Sequence, residues 1–274
     1  MSKARPYAEV IGDPITHSKS PIIHNFWLEE LGIDAEYRKT HVTPAELAGY
    51  FLNRRADPDW LGCNITLPHK IAALDYVDDP GGVRERIGAI NTVACETGGP
   101  LIGTNTDAGG FLQPLLARKW RGTKAILAGT GGAAQAIGFA LRSVGVTELT
   151  IVARDVTKGQ ALLDKLGFDG AVQDFAAALP AADLLVNSTS LGMTGQQPYV
   201  PNLATLPDSA MVYDIVYAPL ETPLLAAART RGLDTLDGLE MLIGQAALAF
   251  DIFFDAPAPR DKDADLRAQL LAPA

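Results

Sequence analysis

Two short segments hold residue types and spacings suited to chemistry. In Asn64-Ile65-Thr66-Leu67-Pro68-His69-Lys70 a lysine follows a polar turn. In Gly129-Thr130-Gly131-Gly132-Ala133-Ala134 a glycine-rich turn follows an apolar run and opens an Ala-rich stretch. A lysine ammonium is a general acid and stabilises oxygen as it gains negative charge. A Gly-x-Gly-x-x-Ala turn between strand and helix lets backbone N–H groups approach a pyrophosphate, with the helix N-terminus behind it. The pair predicts an enzyme that holds a redox dinucleotide on one part of the chain and the molecule it reduces on another. Gly129, Gly131, Gly132 and Ala133 are the expected pyrophosphate contacts.

The end of the next predicted strand selects the nucleotide. NAD sites carry an acid there for the ribose 2′-hydroxyl. This chain has Ala153, then Arg154 and, a turn later, Lys158. Two cations suit a 2′-phosphate and predict NADP. Asp155 lies between them with two readings: it caps the following helix, or it accepts from a ribose hydroxyl and admits NAD.

A second polar set lies in the first hundred residues. Ser18 and Ser20 sit two apart before Pro21, and a helix N-terminus behind them favours an anion such as a carboxylate. Ser20 could equally be a helix cap. Asn64, Thr66, Asn91 and Asn105-Thr106-Asp107 add amides, hydroxyls and a carboxylate at strand ends or turns. Such a lining suits a polyhydroxylated substrate.

The elements that must position these residues alternate strand and helix. Strands are predicted over residues 7–12, 36–41, 61–66, 89–95 and 100–103. Helices are predicted over 21–31, over 43–53 with Pro44 at the first helical position, and from Pro68 onward carrying Lys70. Residues 96–99 read as a hairpin loop. A second set follows: strands over 124–128, 148–153, 184–187 and 211–215, and helices over 133–144, 157–166 and 222–231. The later strands are short apolar runs, as parallel strands covered on both faces require. An apolar helix over 239–254 and a charged one over 261–271 close the chain. The pattern is α/β throughout. It divides into 1–106, 107–238 and 239–274, the last returning to the first.

The 274 residues carry a net charge of −9, which argues against nucleic-acid binding. No apolar run is long enough to span a bilayer. The start of the chain lacks a signal-peptide pattern, and Cys63 and Cys95 lack metal or redox spacing, so buried thiols in a reducing cytoplasm are expected. No metal site is expected.

The chain resembles the shikimate dehydrogenase family. The matching runs are Gly12-Asp13-Pro14-Ile15-Thr16-His17-Ser18-Lys19-Ser20-Pro21, the segment 64–70, Gly88-Ala89-Ile90-Asn91-Thr92, Gly103-Thr104-Asn105-Thr106-Asp107 and the glycine turn. Later come Asn187-Ser188-Thr189-Ser190-Leu191-Gly192-Met193, Asp214-Ile215-Val216-Tyr217 and Asp237-Gly238-Leu239-Glu240-Met241-Leu242, leading to Gln245. The resemblance implies a substrate domain closed by C-terminal helices, a doubly wound Rossmann-type domain, and NADP-linked interconversion of 3-dehydroshikimate and shikimate in aromatic biosynthesis. It implies Lys70 and Asp107 as the catalytic pair. Ser18, Ser20 and Tyr217 match positions for the substrate carboxylate, and Asn64, Thr66, Asn91 and Gln245 positions around the ring hydroxyls. Thr189 and Ile215 fall near the nicotinamide, Gly238 lets backbone approach that ring, and Met193 is expected in packing.

Some positions depart from the family pattern. His69 stands where an aromatic is common, with a stacking or surface role expected. Ala153 and Asp155 flank Arg154, Ala108 follows Asp107, and Glu240 replaces a glycine for which there is no account. These departures keep a quinate-oxidising or NAD-using relative in view. A nucleotide sensor and an adenosyl-dependent methyltransferase are the readings from other classes. Intact Lys70 and Asp107 speak against the first, and the cations after the second strand against the other. Monomer and homodimer both fit.

Overall fold

The computed structural model describes residues 5–95 and 99–272. They form two units, Met1–Thr106 with Ile243–Ala274, and Asp107–Leu242.

The first unit is built on β1 (Tyr7–Gly12), whose six residues are all buried. It is followed by α1 (Ser20–Leu31), β2 (Glu36–His41), α2 (Leu47–Arg55), β3 (Trp60–Ile65), a 3-10 helix Ala72–Tyr76, the one-turn α3 (Val83–Arg86), β4 (Thr92–Cys95) and β5 (Leu101–Thr104). The sheet order is β2-β1-β3-β4-β5. β1 pairs parallel with β2 and β3, while β4 pairs antiparallel with β3 and β5. Central placement explains the unbroken burial of β1, since both its edges and both its faces are covered. Of the expected hairpin loop, Glu96, Thr97 and Gly98 lie outside the described residues.

Two expectations on this unit need correction. The helix expected from Thr43 starts at Leu47. The Thr43 backbone N–H and hydroxyl both donate to the Glu46 carboxylate, at 2.8 and 2.7 Å, and close a turn over the residues between. Lys70 lies not on an α-helix but in a turn before the 3-10 helix. Its carbonyl accepts from Ile90 N–H at 2.8 Å rather than from a residue one helical turn on.

The second unit opens with α4 (Asp107–Ala117). It continues through β6 (Lys124–Ala128), α5 (Gly132–Ser143), β7 (Glu148–Val152), α6 (Val156–Leu166), β8 (Asp169–Gln173), β9 (Leu184–Asn187), β10 (Met211–Asp214), α7 (Pro223–Thr230) and β11 (Asp234–Leu236). All six strands are parallel in the order β11-β10-β9-β6-β7-β8. This is the doubly wound order, and it reverses between β6 and β9, where such sheets bind ligands. Ile126, Leu185 and Val212, from three adjacent strands, are 0% exposed and centre its core.

Beyond it, α8 (Gly238–Phe254) and α9 (Asp263–Leu271) follow. Ala249 and Phe253 of α8 pack with Ala8, Val10, Ile15 and Tyr37 of the first unit's sheet and loops. The Lys19 ammonium donates to the Leu270 carbonyl of α9. No described helix is long and apolar enough to cross a membrane.

Candidate functional site

In the first unit the polar residues gather at the C-terminal ends of β1 and β3. Ser18 precedes α1, and Ser20 is its first residue. The cap position is Lys19, with no side-chain cap bond, so Ser20 is not the helix cap. Ser18 Oγ accepts from the Ser20 N–H at 3.3 Å, which turns both hydroxyl-bearing residues about the same loop.

Asn64 is the penultimate residue of β3, with 5% exposure. Its Oδ1 accepts from the Tyr37 hydroxyl at 2.6 Å, and its Nδ2 donates to the Asn91 carbonyl and to Thr92 Oγ1 at 3.2 and 3.0 Å. Asn91 joins the same network. Its Oδ1 accepts from Thr106 N–H at 2.7 Å, and its Nδ2 donates to Thr106 Oγ1 at 2.9 Å and Gln245 Oε1 at 3.3 Å. The structure thus brings Asn64, Asn91 and Gln245 together through Thr92 and Thr106. Thr66 follows Asn64 and is tied down by its N–H to the Ile11 carbonyl at 2.9 Å.

Lys70 is half-buried on the turn that leaves β3. Its neighbour His69 is 1% exposed, and its Nε2 donates to the Val42 carbonyl at 2.6 Å. The expected stacking or surface role of His69 is replaced by a structural bond, because a buried carbonyl needs a donor.

The second unit places the remaining residues. Asp107 is the first residue of α4 and 4% exposed. Gly129, Gly131, Gly132 and Ala133 run from the end of β6 into α5. Gly129 has φ +115°, and a Cβ there would lie 2.6 Å from Ser188 Oγ, so the turn requires glycine. Gly131 caps α5 in extended conformation, without a side-chain bond, and an added Cβ there would meet no atom within 4 Å. The space beside Gly131 at the start of α5, at the sheet's reversal, leaves room for a pyrophosphate.

Arg154 and Lys158 are exposed beyond the end of β7. Asp155 Oδ1 accepts from Lys158 N–H at 3.1 Å and caps α6. Of the two readings of Asp155, the helix cap is the one seen. Arg154 borders a hollow of about 390 Å³ lined also by Phe175, Leu191, Pro198, Tyr199 and Pro201. A guanidinium beside apolar and aromatic walls suits a phosphorylated nucleoside. No local pattern signals those walls, which come from loops after different strands.

Thr189 and Ile215 lie on the loops that leave β9 and β10. Thr189 N–H and hydroxyl both donate to Asn187 Oδ1, at 3.1 and 2.7 Å. Ile215 N–H donates to the Asn187 carbonyl at 3.1 Å. Tyr217 is partly buried, and burial raises its hydroxyl pKa. Gly238 makes its close approach to the Ile215 and Val216 carbonyls, where any Cβ would collide. Met193, expected in packing, is 40% exposed.

Asp214, given no role by the sequence reading, is 0% exposed. Burial pushes its carboxyl up to about 6, against hydrogen bonds from Thr222, Val216 and Asn187 that favour the charged form. Cys63 is buried and forms no disulfide with Cys95, which is only half-buried rather than buried as expected. No group of metal-binding side chains occurs among the described residues.

Two family models match parts of the chain. Residues 10–93 match the shikimate dehydrogenase substrate binding domain. Residues 238–264 match the shikimate 5'-dehydrogenase C-terminal domain. The shikimate dehydrogenase (NADP(+)) of Sphingopyxis alaskensis is 55% identical over 269 residues, covering 98% of each chain. The solved shikimate 5-dehydrogenase of Thermus thermophilus, in complex with NADP(H) and shikimate, is 34% identical. It superposes with a TM-score of 0.86 over 97% of this chain and all of its own. Quinate dehydrogenase of Corynebacterium glutamicum, in complex with NAD, is 28% identical with a TM-score of 0.87, over 97% of this chain and 99% of that one.

Proposed function

The chain belongs to the shikimate dehydrogenase family, and from that premise we infer that it interconverts 3-dehydroshikimate and shikimate with NADP(H), in aromatic biosynthesis. The observation that carries the cofactor half is the open N-terminus of α5 behind Gly129, at the reversal of an all-parallel sheet. Gly129, Gly131, Gly132 and Ala133 hold the pyrophosphate. Arg154 and Lys158 take the 2′-phosphate, a reading supported by Asp155 being engaged as a helix cap. Thr189, Ile215 and Gly238 line the nicotinamide end.

NADPH, when bound, supplies the hydride that reaches the substrate carbonyl carbon. As that carbon is reduced its oxygen gains negative charge. The Lys70 ammonium stabilises the oxygen and delivers a proton to it; in the oxidative direction the neutral amine takes the hydroxyl proton back. Asp107 accepts from a ring hydroxyl and fixes the face presented to reduction. The hydroxyls of Ser18, Ser20 and Tyr217 donate to the substrate carboxylate. Thr66, Asn91 and Gln245 bond the ring hydroxyls. Asn64 belongs to the same set, and its three internal bonds suit it to hold Asn91 in place. A reducing cytoplasm is the compartment we assign, in keeping with two cysteines that form no disulfide.

The test is initial-rate oxidation of shikimate and of quinate, each with NADP+ and with NAD+, compared as kcat/KM. A strong preference for shikimate with NADP+ supports the reading. Comparable rates with quinate or NAD+ make this a broader family member, and absence of turnover with every pair returns the chain to the sensor reading.

A further inference from the structure

The buried carboxylate of Asp214 makes three hydrogen bonds and has no ion-pair partner among the described residues. Its Oδ1 accepts from Asn187 Nδ2 at 2.9 Å and from Val216 N–H at 3.1 Å, and its Oδ2 accepts from the Thr222 hydroxyl at 2.6 Å. These donors lie on three segments: the end of β9, the loop after β10, and the cap of α7. One carboxylate thus ties together both loops that carry the expected nicotinamide residues, Thr189 and Ile215.

The polarity of the chain of bonds is fixed from this end. A carboxylate only accepts, so Asn187 must turn its Nδ2 toward Asp214 and its Oδ1 toward the loop. The same Nδ2 donates to the Leu191 carbonyl at 3.0 Å, which reinforces that orientation. Asn187 Oδ1 then accepts from the Thr189 hydroxyl, and Thr189 Oγ1 accepts from Leu191 N–H at 3.0 Å. With its proton and one lone pair used, the Thr189 hydroxyl has a single accepting lone pair to offer a ligand. That suits a group rich in N–H, such as the primary carboxamide of a nicotinamide, and refuses a carbonyl.

We propose that Asp214 is a positioning residue for hydride transfer: acting through Asn187, it fixes Thr189 as a hydrogen-bond acceptor and sets the loops after β9 and β10 in register. This rests on the reading that places Thr189 at the nicotinamide. Asp214 itself touches neither substrate nor cofactor in this scheme. A carboxylate so deeply buried without a cation is costly, and its three donors hold it in place. Beyond that local role, it fixes through Asn187 the direction of the bond to Thr189.

The experiment compares Asp214→Leu, Asp214→Asn, Thr189→Val and the double variant Asp214→Leu/Thr189→Val in shikimate oxidation. NADP+ affinity is measured separately by equilibrium binding. Asp214→Leu should lower kcat about thirtyfold while NADP+ affinity changes less than about threefold, because the glycine turn and Arg154 are untouched. Asp214→Asn keeps an acceptor for Asn187 and should recover about tenfold of that loss. Thr189→Val should lower kcat, and the double variant should be no worse than Asp214→Leu by more than about threefold, since the two act along one chain. If Asp214→Leu does not fold, Asn187→Ala cuts the same chain one bond further on and carries the test.

A defective Thr189→Val beside an Asp214→Leu of near wild-type kcat overturns the positioning role alone. Fully additive losses, or equal losses in kcat and NADP+ affinity, overturn it as well and make Asp214 merely structural. A silent Thr189→Val overturns the nicotinamide reading of Thr189, and this proposal with it.

Discussion

His24 lies flat against Tyr37, with ring centroids 3.9 Å apart and planes at 4°, and neither of its ring nitrogens finds a hydrogen-bond partner among the described residues. Trp27 and Phe250 close around the stack. An imidazole in such surroundings stays neutral, and burial lowers its pKa from 6.5 to about 3. The unfolded chain still binds the proton at its ordinary pKa. The stability that His24 contributes is thus fully present above pH 6.5 and is lost as the pH falls toward 3, at about 1.4 kcal/mol per pH unit. Asp214 works in the opposite sense between about pH 6 and 4, because its folded pKa is raised. Comparing wild type with His24→Phe cancels that term. The wild type should lose denaturation free energy faster than the variant between pH 6.5 and 4.5; parallel profiles would place a proton or a water on His24.

Lys70→Ala should cut kcat by orders of magnitude and change shikimate affinity much less. The lysine's work falls mainly on the charge that develops during reduction, so its loss raises the barrier more than it weakens the bound ground state. Steady-state kinetics in both directions, with shikimate affinity from protein fluorescence, separates the two. An unchanged kcat would remove Lys70 from the chemistry.

Local pattern made the glycine turn, the alternating strands and helices of the second unit and the strands carrying Asn64 and Asn187 legible from sequence, because apolar runs and glycines act within a few residues of themselves. Two strands gave no such signal. The strand β8 is mostly exposed at its sheet edge, and β11 has three residues, too few for a pattern to show. Among the candidate site residues, residue types announced Ser18 and Asn91, while Thr189 came through the family resemblance. The supporting bonds did not show, because they join residues distant in sequence: Tyr37 to Asn64 across 27 positions, and Asn187 to Asp214 across another 27. The role of His69 escapes a local reading for the same reason. Its partner is the Val42 carbonyl, 27 residues away, and only the folded chain brings them together.

Ser18→Ala should mainly raise the Michaelis constant for shikimate. The hydroxyl is offered to a carboxylate, and one hydrogen bond to a charged group contributes about 1.5–3 kcal/mol. That corresponds to a rise of about ten- to a hundredfold with kcat little changed. Ser18 Oγ also accepts from the Ser20 N–H, so its loss loosens the loop slightly. A thermal melt taken alongside the kinetics measures that effect. An unaltered Michaelis constant would mean that the carboxylate binds elsewhere.

Arg154→Ala should weaken NADP+ far more than NAD+. Arg154 is exposed at the end of β7 and borders the hollow beside Phe175 and Tyr199, so its removal disturbs no buried contact. A bidentate guanidinium–phosphate interaction is charge-assisted and has no counterpart in NAD+. The expected loss is about 1.5–3 kcal/mol for NADP+ alone, seen as a fall in the ratio of the two cofactors' kcat/KM values. Asp155→Ala is the companion variant. Because Asp155 caps α6 through Lys158 N–H, its loss should cost about 1 kcal/mol of stability and leave that ratio in place. If Arg154→Ala weakens both cofactors equally, the arginine does not read the 2′-phosphate. If Asp155→Ala shifts preference further toward NADP+, Asp155 meets the ribose despite its place at the helix end.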